Sequence, residues 1–399
     1  MKVVVVGGGV AGLEALLALR DLAGERVELT LVAPEPEFVY RPLTVEEPFS
    51  HQPAERRALA PVAEDLGAEL VVGSLASVDA AGHQLQLADG SRLDYDRLVV
   101  CVGGRPRPAF VAATTFFGGA PSEVEELLDR AGEGQRIAFV VPHGASWALP
   151  IYELALMSRS RLEEGGKTGV ELVIATPEDA PLILFGTAAS EAVSMLLAAR
   201  AIDVVAGVRL REDDGRLVVV PGNQPFEAGA VVALPVIEGP RIEGLPADED
   251  GFLPIDEQAR VKGVDDVYAA GDGTNFPVKQ GGIGTQQADA AAEQIAADAG
   301  AELEPKPFHP VLRGQLITGV ESLNLRQDLG GGAGEGAASL DYLWWPPQKI
   351  GGRYLSAWLA GETPQADLEP PEIPLDVEVA FPHEWHAEPM ALDPYSSPD

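Results

Sequence analysis

Lys2-Val3-Val4-Val5-Val6 runs directly into Gly7-Gly8-Gly9-Val10-Ala11-Gly12, and Leu13-Glu14-Ala15-Leu16-Leu17-Ala18-Leu19-Arg20 follows. The valine run is short, apolar and β-branched, as a strand buried on both faces requires. The residues after Gly12 are strong helix formers. Val27-Glu28-Leu29-Thr30-Leu31-Val32 reads as a return strand. Strand, glycine turn, helix and strand make a βαβ unit, with G-x-G-x-x-G at Gly7, Gly9 and Gly12.

Each glycine has a physical task. Gly7 allows the tight turn out of the strand, and Gly9 lets a diphosphate approach the backbone. Gly12 lets the helix pack closely on the strand. The helix N-terminus, with Ala11 in its first turn, offers free N–H groups and partial positive charge to phosphates. A lone glycine turn is weak evidence, but the whole unit predicts dinucleotide binding. The acidic partner for a ribose belongs at the end of the second strand, where this chain has Ala33. Glu35 lies just beyond and is the candidate; a solvated loop carboxylate is the alternative.

The chain has 399 residues, enough for two or three domains. Its net charge of −34 argues against nucleic acid, since nothing could neutralise a row of phosphates, and disfavours broad docking on anionic lipid. The acidic, lysine-poor composition fits salt adaptation, solubility or base composition equally. Cys101 is the single cysteine, which leaves no intramolecular disulfide and no thiolate metal cluster. No metal site is expected. A strand at the N-terminus argues against a cleaved signal peptide, and no apolar run spans a bilayer. The expected location is cytoplasmic, with peripheral contact at the inner face of a membrane left open. A homodimer is also left open.

Further motifs accumulate downstream. Phe38-Val39-Tyr40-Arg41-Pro42-Leu43 follows Glu35. Residues 44–68 read as a loop and a helix, and Glu69 to Asp79 as a strand and turn. His83 to Ala88 alternates as a half-buried strand, and Asp89-Gly90 is a hairpin signal. Leu93-Asp94-Tyr95-Asp96 leads to an apolar strand ending in Gly103-Gly104, and Val267-Tyr268-Ala269-Ala270-Gly271-Asp272 comes much later. Together these resemble the FAD-dependent pyridine nucleotide-disulfide oxidoreductases, in the group holding sulfide:quinone oxidoreductases, type II NADH dehydrogenases and flavocytochrome sulfide dehydrogenases. The resemblance spans most of residues 1–360. It implies an α/β fold of two Rossmann-like dinucleotide-binding domains with a small C-terminal segment. It implies FAD held by Gly7, Gly9, Ala11, Gly12, Glu35, Arg41, Pro42, Gly103, Gly271, Asp272, Gly282 and Ile283. For Tyr40 and Pro42 an ordinary turn is the alternative. Cys101 reads as a buried small hydrophobe.

Residues 1–110 and 246–307 are expected to form the FAD domain, and 111–245 a second α/β domain. In the second, Arg136 to Val141, Pro150 to Arg161, Val170 to Pro177, Ser190 to Arg200 and Val231 to Pro235 read as strand, helix, strand, helix and closing strand. Its turn is Pro142-His143-Gly144-Ala145-Ser146-Trp147, with one glycine of three. Pro142 lacks an N–H, and Trp147 obstructs both helix packing and a diphosphate. This second nucleotide site therefore reads as lost, which resembles the sulfide-oxidising branch. Glu153 falls where related NADH dehydrogenases carry a glutamate near the flavin. It is a candidate proton relay, or else an exposed helix carboxylate. His143 lines the same cleft or makes a structural hydrogen bond.

Lys279-Gln280-Gly281-Gly282-Ile283-Gly284 opens a helix through Ile295. The resemblance places its N-terminus against the flavin and makes Lys279 the nearby cation, with a surface lysine as the alternative. Residues 308–361 form the C-terminal part, with a strand at Leu312 to Gly319 and a flexible Gly330-Gly331-Gly332. The Trp344-Trp345 pair covers flavin, meets a quinone or packs in the core. Residues 362–399 are an acidic, proline-rich tail.

The leading functional expectation is an FAD-dependent oxidoreductase, similar to sulfide:quinone oxidoreductase. It would pass electrons from an undefined small-molecule donor to a quinone-like acceptor. One cysteine cannot run a persulfide–disulfide cycle, which disfavours sulfide. The alternatives are an NADH:quinone oxidoreductase and a flavin-binding protein without turnover.

Overall fold

A computed structural model of the chain describes residues 1–50, 53–118, 121–329, 336–365 and 368. The glycine run at 330–332 and the tail from 369 lie outside the described residues.

The valine run becomes β1 (Lys2–Val6), and α1 (Val10–Ala23) leads from it to β2 (Glu28–Ala33). With β3 (Ala68–Val72) and β4 (Arg97–Val100) these begin a wholly parallel sheet. Val5 stands opposite Leu31 on one side and Val99 on the other, and Val6 opposite Val32 and Val100, so the end of the strand nearest the turn is flanked by apolar partners. Residues 75–94 leave this sheet as a separate three-stranded antiparallel unit, with Gly90 at its turn at φ 88°.

A second parallel sheet holds β5 (Thr114–Thr115), β6 (Arg136–Val140), β7 (Glu171–Ala175), β8 (Ile202–Val205) and β9 (Ala230–Ala233). Its order is β5-β9-β6-β7-β8. Between β6 and β7 runs α2 (Leu149–Glu164), which admits Pro150 in its first turn, where no N–H is needed. Between β7 and β8 runs α3 (Thr187–Ala199).

The chain then returns to the first sheet through β10 (Val267–Ala269), completing the order β10-β4-β1-β2-β3. Next comes α4 (Gly281–Asp298), which packs along α1. Their contact is built from small residues: a Cβ at Gly284 would lie 3.5 Å from the Ala11 Cβ of α1. Finally β11 (Val311–Leu316), β12 (Leu323–Asp328) and β13 (Ala337–Ser339) form an antiparallel sheet, followed by α5 (Leu355–Ala360). Among the described residues no helix is long and apolar enough to cross a membrane.

Candidate active site

The carboxyl ends of both parallel sheets open into one cleft of about 720 Å³. The chain leaves β1 toward β2 on one side while β4 pairs on the other, and such a switch point is where open α/β sheets bind ligands.

The glycine turn forms one end. Gly7 has φ 120°, and a Cβ there would lie 2.2 Å from the Cys101 carbonyl oxygen. A Cβ on Gly12 would lie 1.7 Å from the Gly7 oxygen, so α1 can approach the turn only with glycine there. A Cβ on Gly9 would meet nothing within 4 Å. Gly9 is also the N-cap of α1, no side chain caps it, and the first turn carries no acid. An open space over an uncapped helix N-terminus suits a diphosphate.

Of the other expected residues, Ala11, Glu35, Arg41, Pro42, Gly103, Gly271 and Asp272 line the cleft. Gly12, Gly282 and Ile283 do not. Gly12 is a packing residue. On α4 the cleft-facing residues are Gly281 and Gly284, three positions apart on one helical face. The Ile283 N–H is taken by the Gln280 side chain at 2.9 Å, which fixes that rotation. Burial raises the Asp272 carboxyl, opposed by Lys279 and Arg41.

Lys279 is buried, not a surface lysine. Its ammonium donates to the Thr274 carbonyl and, at 2.8 Å, to that of Phe276. It lies 3.7 Å from the centre of the Phe252 ring. Burial lowers its pKa to about 8, against the pull of Asp272 and Asp248. It pins the turn after β10 while lining the cleft.

Glu153 is fully buried, which excludes the exposed-carboxylate alternative. Its Oε1 accepts from Lys349 Nζ at 2.6 Å and from the Ile317 N–H at 2.9 Å. Its Oε2 has no hydrogen-bond partner. Burial raises its pKa and Lys349 opposes the rise. Both residues line the cleft. Lys349 escaped the sequence reading, although it is one of only six lysines and follows the tryptophan pair.

The tryptophans themselves lie outside the cleft lining. Trp344 is in the core with its indole N–H on the Gln348 carbonyl at 2.8 Å, and Trp345 donates to Glu362 at 2.9 Å. His143 is exposed and also outside the lining. Cys101 does line the cleft, beside the glycine turn, and burial pushes its thiol up to about 12.

The second sheet's turn faces this same cleft through Ser146 and Trp147, and Trp147 meets Phe185 edge-on at 5.7 Å. Glu178 follows β7 much as Glu35 follows β2, yet it is engaged internally. Tyr152 donates to it at 2.7 Å and Thr176 at 2.9 Å. The acid that could greet a second ribose is thus already bonded to its own chain.

Two parallel sheets, a glycine turn on an uncapped helix and a shared cleft define a dinucleotide-binding flavoprotein with paired Rossmann-like units. Residues 1–294 match the family described as pyridine nucleotide-disulphide oxidoreductase, and the chain belongs to that family. It is an FAD-dependent oxidoreductase. The cleft fits this cofactor: Gly7, Gly9 and Ala11 would hold its diphosphate, and Glu35 and Asp272 would meet hydroxyls. Among relatives, rhodocoxin reductase of Rhodococcus erythropolis is 26% identical over 70% of this chain and 66% of its own length, just under two thirds. An NADH dehydrogenase-like protein of Mycobacterium tuberculosis is 26% identical over 68% of this chain and 72% of its own. The solved sulfide:quinone oxidoreductase of Aquifex aeolicus superposes with a TM-score of 0.75 at 21% identity, covering 82% of this chain and 83% of that one, a likeness of fold.

Proposed function

We propose that this oxidoreductase takes electrons from a small donor other than a nicotinamide nucleotide and delivers them to a quinone-type acceptor. The observation that carries the reading is the buried Glu153–Lys349 pair on the cleft wall. When bound, FAD supplies reversible two-electron storage. Reduction of a quinone takes up two electrons and two protons. Glu153 can hold a proton at Oε2, which has no other hydrogen-bond partner, while Lys349 and the Ile317 N–H fix its other oxygen. Burial raises the carboxyl's pKa above the ordinary range, which favours the proton-holding form.

Three features speak against NADH as donor: Pro142 in the second turn, Trp147 beside it, and the engaged Glu178. Sulfide is disfavoured as well, because Cys101 has no second thiol with which to cycle. Relatives such as the ferredoxin–NAD(+) reductase component of the p-cumate 2,3-dioxygenase system of Pseudomonas putida favour the opposite reading, a nicotinamide-linked reductase.

Anaerobic titration of the flavin-loaded protein with NADH, following the visible flavin band, separates the two. No bleaching by NADH, with dithionite reducing the flavin and a soluble quinone reoxidising it, is the expected result. Glu153→Gln should slow that reoxidation. Rapid bleaching by NADH overturns the choice of donor; reoxidation by quinone equally fast in Glu153→Gln overturns the proton role.

A further inference from the structure

Glu14 stands on α1 just past the glycine turn and is fully buried. Its Oε1 accepts the N–H of Tyr354 at 2.8 Å, and its Oε2 accepts that of Leu355 at 2.6 Å. These residues open α5, so a side chain of the first sheet's leading helix holds the C-terminal segment. Gly352 packs onto the same carboxyl: a Cβ there would lie 2.7 Å from Oε2. From α4, Asp289 hydrogen-bonds Glu14. The Asp289 Oδ1 is shut away from solvent with no partner.

Two hydrogen-bonded carboxyls shielded from water do not both ionise. Glu14 has two backbone donors that favour its charged form, which leaves the proton to Asp289. A partnerless oxygen is far less costly on a neutral acid than on a carboxylate. The other charges near the pair are Arg353 of the C-terminal segment and Glu293 of α4, paired with each other at 3.4 Å, and Asp21 of α1. The Tyr354 hydroxyl is also close.

We propose that a proton shared by Glu14 and Asp289 latches the C-terminal segment onto α1 and α4, and so sets Lys349 in the cleft. The latch itself stands apart from the proposed function; its effect on Lys349 rests on that reading. Lys349 and Ile350, which line the cleft, lie only a few residues before the latched N–H groups.

The sign of the pH dependence follows from burial, which raises Glu14 to about 7 and Asp289 well above the ordinary carboxylate range. Once the segment opens, both return toward about 4. The closed state therefore binds protons more tightly. The latch is strongest below about 4 and weakens as pH rises through 7 and beyond. Each carboxyl contributes up to about tenfold per pH unit to opening within its window.

Hydrogen exchange of the flavin-loaded protein tests this, read on the peptide spanning Tyr354 and Leu355 and corrected for intrinsic exchange. Protection should fall by about tenfold or more between pH 5.5 and pH 7.5. In Asp289→Asn an amide can donate to the Glu14 carboxylate at any pH, and the fall should shrink to under about threefold. Glu14→Gln, the second variant, should flatten the profile while lowering protection throughout. Protection that does not change with pH, or an unaltered slope in both variants, overturns the latch. No donor or acceptor is present, so a wrong assignment of either leaves this result untouched.

Discussion

Replacing Lys349 by methionine tests the cleft directly. The ammonium lies 2.6 Å from Glu153 Oε1, with the two side chains 7% and 0% exposed. At that distance the gross attraction is about 6 kcal/mol for an effective dielectric of about 20. Much of it is offset by desolvation of both groups, and breaking such a pair on one side usually costs ~3–5 kcal/mol. Glu153 has an escape, because it can take up a proton. With Lys349 gone, burial acts on Glu153 without its main opposing charge, so its raised pKa rises further. A carboxyl raised in the folded state loses stability as pH increases through its folded value. Lys349→Met should therefore cost little at pH 5 and about 3 kcal/mol at pH 8. Glu153→Gln keeps an acceptor for the Ile317 N–H and has no charge to strand, so the double variant should be less damaged than the sum by about 2 kcal/mol. Denaturant unfolding of the four proteins, followed by tryptophan fluorescence at both pH values, measures these differences. A pH-independent loss, or additive single effects, refutes the coupled pair.

The glycine turn makes a contrast. Gly9→Ala meets open space, so it should leave apoprotein stability within about 0.5 kcal/mol of wild type while weakening FAD binding at least tenfold by equilibrium titration. Gly12→Ala would press a methyl onto the Gly7 oxygen and should cost several kcal/mol, about 3 or more, in thermal unfolding even without cofactor. Tyr152→Phe removes a donor to Glu178 and should destabilise by about 1–3 kcal/mol in denaturant melts, more at pH 8 than at pH 5, because burial already raises that carboxyl. The Cys101 thiol, pushed up to about 12, should resist iodoacetamide at pH 8 in the folded protein and react once urea unfolds it, as counted by mass spectrometry.

What could be read from the chain was local. Lys2 to Gly12 announces its own turn because strand, glycines and helix adjoin in sequence. Glu153 and Lys349 are 196 residues apart, and only the return of the C-terminal segment brings them together. Lysine scarcity was the available hint. The helix after Lys279 was legible, but its rotation was not. Which residues of Gly281 to Gly284 face the cleft depends on the Gln280 cap and the contact of Gly284 with Gly271. Likewise Trp147 read as an obstruction, while the internal capture of Glu178 by Tyr152 needed the packing of α2 on β7 to be seen.

The two parallel sheets share one plan and differ in what fills their crossover turns. The first leaves Gly9 open over an uncapped helix, and the second carries Pro142 and Trp147. Ser146, Trp147 and Gly9 line one continuous cleft, and on the proposed reading a second dinucleotide has no seat there. A donor of the proposed kind would reach the flavin through the space bounded by Trp147, Phe116, the half-exposed Phe117 and the Glu153–Lys349 pair. On that reading three aromatic walls and one buried carboxyl would favour flat, weakly charged molecules over a diphosphate, which carries more negative charge into an already acidic protein. If the second sheet holds no nucleotide, as proposed, the difference between the two turns decides which molecules approach the flavin, while the first sheet keeps its open glycine turn.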